Sequence, residues 1–369
     1  MKKLISYLCV LLCLLTTSCE QTIRDAVVSN RAQESFSMFW HSMDSSYVFF
    51  DKNHRDWDAF YSKWLGILDD AKEDDIKDWV DSLVQDMADI QIDVWSGISG
   101  YSYDGPDSIF SKYQSPCGGW RQNYPRWENN TDPYVFDGGE ENFTGACIYT
   151  IHRNGDSISA PYLYIVPGKW GSKVENNKDF WQEYLPKYAE NIKGTILDLR
   201  EMSDMQLDDM LELLRYFLPT SSNVIFYTCE RSTSLNNRTA YTPITPYLLD
   251  GYGTFAEIPM CLLFDVQTQN EANIMSYVLH SLHPNITTIS MNYTLGGGGI
   301  RSMHKYVTKD ETFGFSVQFP TIRLSNNKYT TFDTPLYPDI SVPYEKFVYN
   351  RQGMIDKCLV ICMDVLDKQ

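Results

Sequence analysis

From residue 146 onward the chain repeats one alternation. Short apolar runs stand at 146–151, 161–166, 194–199, 223–228, 259–265 and 286–291, and helix-spaced apolar patterns at 179–191, 206–217 and 271–282 lie between several of them. A strand covered on both faces reads as a short continuous apolar run, because neither face meets water. Such runs alternating with helical patterns predict an α/β fold, a sheet with crossover helices. A further strand is expected at 313–324 and a closing loop from Pro335 to Pro343.

The N-terminal third has a different rhythm. Phe36, Phe39, Trp40, Met43, Tyr47 and Phe50 recur at spacings of three and four, as do Trp57, Phe60, Tyr61, Trp64 and Leu68, then Ile76, Trp79, Val80, Leu83 and Met87. Each set puts apolar side chains on one helical face and predicts a small helical domain over residues 35–95. Residues 96–145 are rich in Gly, Pro, Asn and Asp with interspersed aromatics, so loop with short strands is expected there. In that stretch Trp120, Tyr124 and Trp127 are candidates for stacking on a sugar or gripping an extended peptide, or for packing as a lid. The core domain then runs from 146 to 369.

The extreme N-terminus reads as a targeting segment. Lys2 and Lys3 precede the apolar run Leu4 to Leu15, which is followed by Thr16-Thr17-Ser18-Cys19. About 12 apolar residues fall short of the roughly 20 that span a bilayer, so 1–18 is read as a signal peptide. The small residues before Cys19 resemble a bacterial lipobox, with Thr16 where Leu is usual. Cys19 is then the lipidated residue, and 19–34 is a polar tether. The expected location is the cell envelope, at the outer membrane, periplasmic or surface-facing, with membrane attachment through the lipid anchor only.

A formal net charge of −17 without a basic stripe argues against nucleic-acid binding. The later cysteines are too sparse to be a disulfide scaffold, although Cys117 and Cys147 are a candidate pair; Cys358 and Cys362 read as small core residues. His280 and His283 lie three apart on a helix, yet no third ligand is evident, so no metal and no cofactor are expected. Gly296 to Gly299 lack the GK[ST] continuation of a phosphate loop.

Several stretches, taken in order, resemble the tail-specific (C-terminal-processing, tricorn-core-like) serine peptidase family. Met87-Ala88-Asp89-Ile90-Gln91 matches the end of that family's helical domain, with Gln91 at the histidine position. Asp198-Leu199-Arg200 matches its Asp-x-Arg, but Met202-Ser203-Asp204-Met205 replaces the Asn-x-Gly-Gly that should follow. Across 262–273, Thr268 matches the family's threonine, while Asn270 stands at the serine position and Asn273 at the glutamate position. Thr294-Leu295-Gly296-Gly297-Gly298 matches a loop that carries a catalytic lysine in one branch, with Gly297 at that place. Pro338-Asp339-Ile340-Ser341-Val342 resembles the closing Pro-Asp motif.

The resemblance implies a ClpP/crotonase-like α/β core and a cleft for polypeptide. It makes Asp198, Arg200, Thr268, Thr294 and Gly296 candidate binding positions, joined by Trp120 and Trp127 from the aromatic stretch. Acyl transfer needs a nucleophile, a base and oxyanion donors. An Asn carboxamide is a poor nucleophile, and Gln91 cannot exchange a proton near neutral pH. Asn270, Gln91, Asn273 and Gly297 are therefore read as degenerate catalytic positions, and the chain as a pseudoenzyme that binds polypeptide. Two other readings stay open: an active serine endopeptidase using Ser203 or Ser276, and a glycan-binding lipoprotein.

Overall fold

The computed structural model describes residues 30–53, 55–71, 76–89, 91–96, 99–102, 134–141, 147–155, 160–167, 182–183, 185–202, 205–232, 237–307, 314–326, 330–343, 349–350, 353–354 and 356–369. In chain order the elements are α1 (Arg31–Ser46), α2 (Trp57–Ile67), α3 (Ile76–Met87), β1 (Asp93–Ser96), β2 (Ser99–Ser102), β3 (Tyr134–Glu141), β4 (Cys147–Arg153), β5 (Tyr162–Val166) and β6 (Gly194–Asp198). They continue as α4 (Leu207–Phe217), β7 (Ser222–Glu230), β8 (Thr245–Asp250), β9 (Met260–Leu263), α5 (Asn270–Leu282), β10 (Ile286–Ser290), β11 (Gly299–Val307), β12 (Gly314–Ser325), β13 (Ile340–Ser341) and α6 (Lys357–Leu366). They fall into two compact units, one drawn from Met1–Tyr103 and Met303–Gln318, the other from Asp104–Ser302 and Phe319–Gln369.

In the first unit the aromatic spacing becomes packing. Trp40 stacks on Trp57 at 5.9 Å, and Phe36 lies against Phe39, Phe60, Tyr61 and Trp64. Asn30 caps α1 by accepting from the Gln33 N–H, while its amide donates to the Leu68 and Asp69 carbonyls beyond α2. One side chain thus starts one helix and ties down the end of the next. Asp86 on α3 accepts from Arg55, Lys63 and the Trp64 indole. The unit extends past the helical stretch expected from sequence, because Phe315 packs on Trp79 and Phe39 and Val317 pairs with Val94.

The second unit holds a seven-stranded sheet in the order β13-β10-β9-β6-β5-β4-β3. The run β5, β6, β9, β10, β13 is parallel, and β4 and β3 continue it antiparallel. Strand alternation sorts the core into two faces. Leu163, Ile165, Leu197, Met260 and Leu262 face the cluster that contains Met210, Leu214 and Phe217 of α4 and Met275, Val278 and Leu279 of α5. Tyr162, Tyr164, Ile196, Cys261 and Leu263 face Leu359, Cys362 and Met363 of α6. Cys358 and Cys362 are buried among these apolar groups as free thiols.

Three details depart from the sequence reading. Residues 223–228 form a strand, β7, but it pairs antiparallel with β8 and with the end of β12, outside the parallel sheet. The stretch 179–191 yields a 3-10 helix over Leu185–Asn191, in keeping with Pro186, which has no N–H for an α-helical ladder. The C-terminal helix α6, which packs on one face of the sheet over β6, β9 and β10, was not expected as a helix. Cys19, Cys117, Trp120, Tyr124, Trp127 and Ser203 lie outside the described residues.

Candidate functional site

Three loops leave the C-terminal ends of neighbouring parallel strands and are bonded together. The loop after β6 is joined to the one after β9: Thr268 donates its hydroxyl to the Leu199 carbonyl at 2.7 Å, and Gln269 N–H donates to the Met202 carbonyl at 3.0 Å. The loop after β10 joins them through Asn270 N–H, which donates to the Gly296 carbonyl at 3.1 Å. In open α/β sheets this edge is where ligands bind, since loops there can vary while the strands fix their roots.

Asn270 is the first residue of α5 and has φ 52°. A left-handed conformation is costly for most residues with a Cβ and is tolerated best by Asn and Asp. The residue is 4% exposed, and its side-chain Oδ1 has no hydrogen-bond partner among the described residues. Gly297, with φ +99°, presses against it: a Cβ built on Gly297 would lie 2.6 Å from the Asn270 nitrogen. A lysine at this place would need a different loop, so its absence is written into the backbone as well as the side chain.

Asn273, expected from the motifs at the family's glutamate position, is a buried tie. Its Nδ2 donates to the Gly297 carbonyl at 2.9 Å and the Phe332 carbonyl at 2.7 Å, and its Oδ1 accepts from the Thr294 hydroxyl at 2.5 Å. Thr294 in turn accepts from Leu336 N–H. Thr268, Thr294 and Asn273 are all fully buried, and the bonds named here pin the glycine loop to α5.

Asp198 and Arg200 are brought together below this edge. Arg200 donates from Nε to Asp198 Oδ1 and from Nη2 to both Asp198 Oδ2 and Asp356 Oδ2, at 3.0, 2.7 and 2.7 Å. Tyr164 donates its hydroxyl to Asp198 at 2.6 Å, and Asp356 also caps α6 through the Cys358 and Leu359 N–H groups. All three charged groups are buried, so this network knits strand, loop and helix.

In the other unit, Gln91 is buried, and its N–H donates to Asp89 Oδ1 at 2.9 Å. Asp89 also accepts from the Tyr47 hydroxyl. Ser276, an alternative nucleophile, is buried inside α5 with its hydroxyl donating to the Ala272 carbonyl at 2.8 Å. His280 and His283 are engaged separately, the first with Asp339 and the second with the Phe255 carbonyl.

One feature at this edge had no counterpart in the motifs. Glu201, directly after Arg200, has φ 56° and is 7% exposed, and its Oε1 has no hydrogen-bond partner among the described residues. Its N–H donates to Asp265 Oδ1, which also accepts from Gln267 N–H. Burial pushes the Asp265 carboxyl up to about 6; these backbone bonds oppose the rise and the neighbouring Glu201 charge adds to it. The only sequence signal was an acidic residue at the end of a buried strand.

In α/β-hydrolases the nucleophile sits on a sharp, strained strand-to-helix turn, and the β9–α5 connection, with its left-handed Asn270, is likewise a strained strand-to-helix turn. Residues 164–342 match the family model of peptidase family S41. Among solved structures, a candidate peptidase from Parabacteroides merdae is 19% identical, with TM-score 0.62 over 92% of this chain and 97% of that one. A lipoprotein from Streptococcus agalactiae is 12% identical, with TM-score 0.55 over 93% and 98%. These likenesses establish the shared fold. No curated protein matches the chain in sequence. Among the described residues no helix is long and apolar enough to cross a membrane.

Proposed function

We propose that this chain is a cell-envelope lipoprotein, anchored through Cys19, whose S41 domain binds polypeptide without hydrolysing it. The observation that carries the reading is Asn270, a carboxamide in the left-handed position at the head of α5. A carboxamide has no proton that a neighbouring base could remove to make a strong nucleophile. Support comes from Gly297, whose backbone leaves no room for a side chain, and from Ser276, whose hydroxyl is committed to its own helix. The S41 frame around Asn270 is otherwise held by buried bonds, which is consistent with a retained binding surface. The lipoprotein among the structural relatives fits the envelope assignment.

A fluorophosphonate probe tests the claim. Purified protein lacking residues 1–18 is expected to take up no label, because the probe needs an activated hydroxyl. Stoichiometric labelling mapped to a single serine would overturn the reading and make the chain a working serine endopeptidase.

A further inference from the structure

The glutamate that the S41 motifs do not use has a buried oxygen, Oε1, with no hydrogen-bond partner among the described residues. A carboxylate kept from water costs several kcal/mol unless it is paired. The cation next to Glu201 in sequence is already committed, since Arg200 is held between Asp198 and Asp356. Arg301 pairs through Nη2 with Glu271 at 3.0 Å. Among the described residues, Glu201 Oε1 thus stays buried with no donor, and Asn270 Oδ1 is in the same condition. The loops carrying them are fixed to one another by the Gln269–Met202 and Glu201–Asp265 bonds. Both residues hold left-handed backbone, a conformation that persists only where the surrounding structure enforces it.

The polarity of this edge is the reverse of what acyl transfer requires. An oxyanion needs N–H donors, whereas Glu201 and Asn270 present unpaired acceptors. Acceptors buried without partners call for a donor from the ligand, and a carboxylate calls for a cationic one. The net charge of −17 on the chain favours the approach of such a group.

We propose that Glu201, with Asn270, forms a subsite for the cationic side chain of a lysine or arginine in a bound polypeptide. This rests on the polypeptide-binding reading above and names the residue class it selects.

Fluorescence anisotropy with labelled, acetylated pentapeptide amides Ala-Ala-X-Ala-Ala, where X is Lys, norleucine or Glu, tests it at low ionic strength. The lysine peptide is expected to bind about tenfold or more tightly than its norleucine isostere, the margin of one charge-assisted hydrogen bond. Glu201→Gln should erase that ratio, and a far-UV circular dichroism spectrum and urea midpoint matching wild type report that the variant is folded. Glu201→Asp should keep part of the ratio. Equal affinity for lysine and norleucine, or a preference that survives Glu201→Gln, would overturn the subsite and leave polypeptide binding standing. No binding of any of the three peptides would overturn both.

Discussion

Asn270 and Glu201 show what a sequence conceals at single positions. Asn270 is singled out because Thr268, the following helix and the glycine loop resemble the family's spacing. Glu201 could not, because a left-handed backbone at a residue with a Cβ leaves no periodic trace. Its consequence is measurable at Asp265. That carboxyl is buried and its pKa is raised to about 6, so the folded state holds the proton more tightly than the unfolded chain. The contribution to stability is present below the unfolded value near 4 and is lost as pH rises through about 6. Asp265→Asn keeps an oxygen that can accept from the Glu201 and Gln267 N–H groups. Urea denaturation is expected to show the variant gaining about 2–3 kcal/mol on wild type at pH 7.5, with little or no gain at pH 4. A gain independent of pH would contradict this assignment of the proton.

At the scale of elements, the sequence carried the strands of the parallel sheet well. The runs 194–199 and 259–265 are apolar on both faces because α4 and α5 cover one side and α6 the other. It did not carry the assignment of 223–228 to a sheet, since an apolar run records burial and says nothing of its partner. β8 was missed for a related reason: it is an edge strand, largely exposed and containing Pro246, so it lacks the apolar signature. The helix α6 was overlooked although its two cysteines were read as core. Its attachment is the Asp356–Arg200–Asp198 network, in which one carboxylate both caps the helix and holds the guanidinium. Asp356→Ala should therefore cost about 3–5 kcal/mol in urea denaturation, as removal of one partner from a buried ion pair does. Asp356→Asn, which can still cap, should cost less. A loss below about 1 kcal/mol for the alanine variant would show that α6 is held by apolar packing alone.

For the molecule as a whole, residues 164–342 match the S41 family model, and on the reading proposed above the groups chemistry would use have been replaced. Order and spacing of the motifs made the family legible from sequence, and the match over residues 164–342 bears it out. What sequence alone left unexplained was why the glycine loop holds no lysine. The answer lies in close approach, with Gly297 backed onto the Asn270 backbone and Gly298 onto Asp333. The central claim, retention of polypeptide without turnover, is tested most directly by mixing the protein with an unfolded basic polypeptide such as reduced, alkylated lysozyme. Gel filtration followed by mass spectrometry then reads binding and cleavage in one sample. The expected result is co-elution of the polypeptide at its full intact mass after prolonged incubation. Fragments with new termini, accumulating in excess over the protein present, would contradict it.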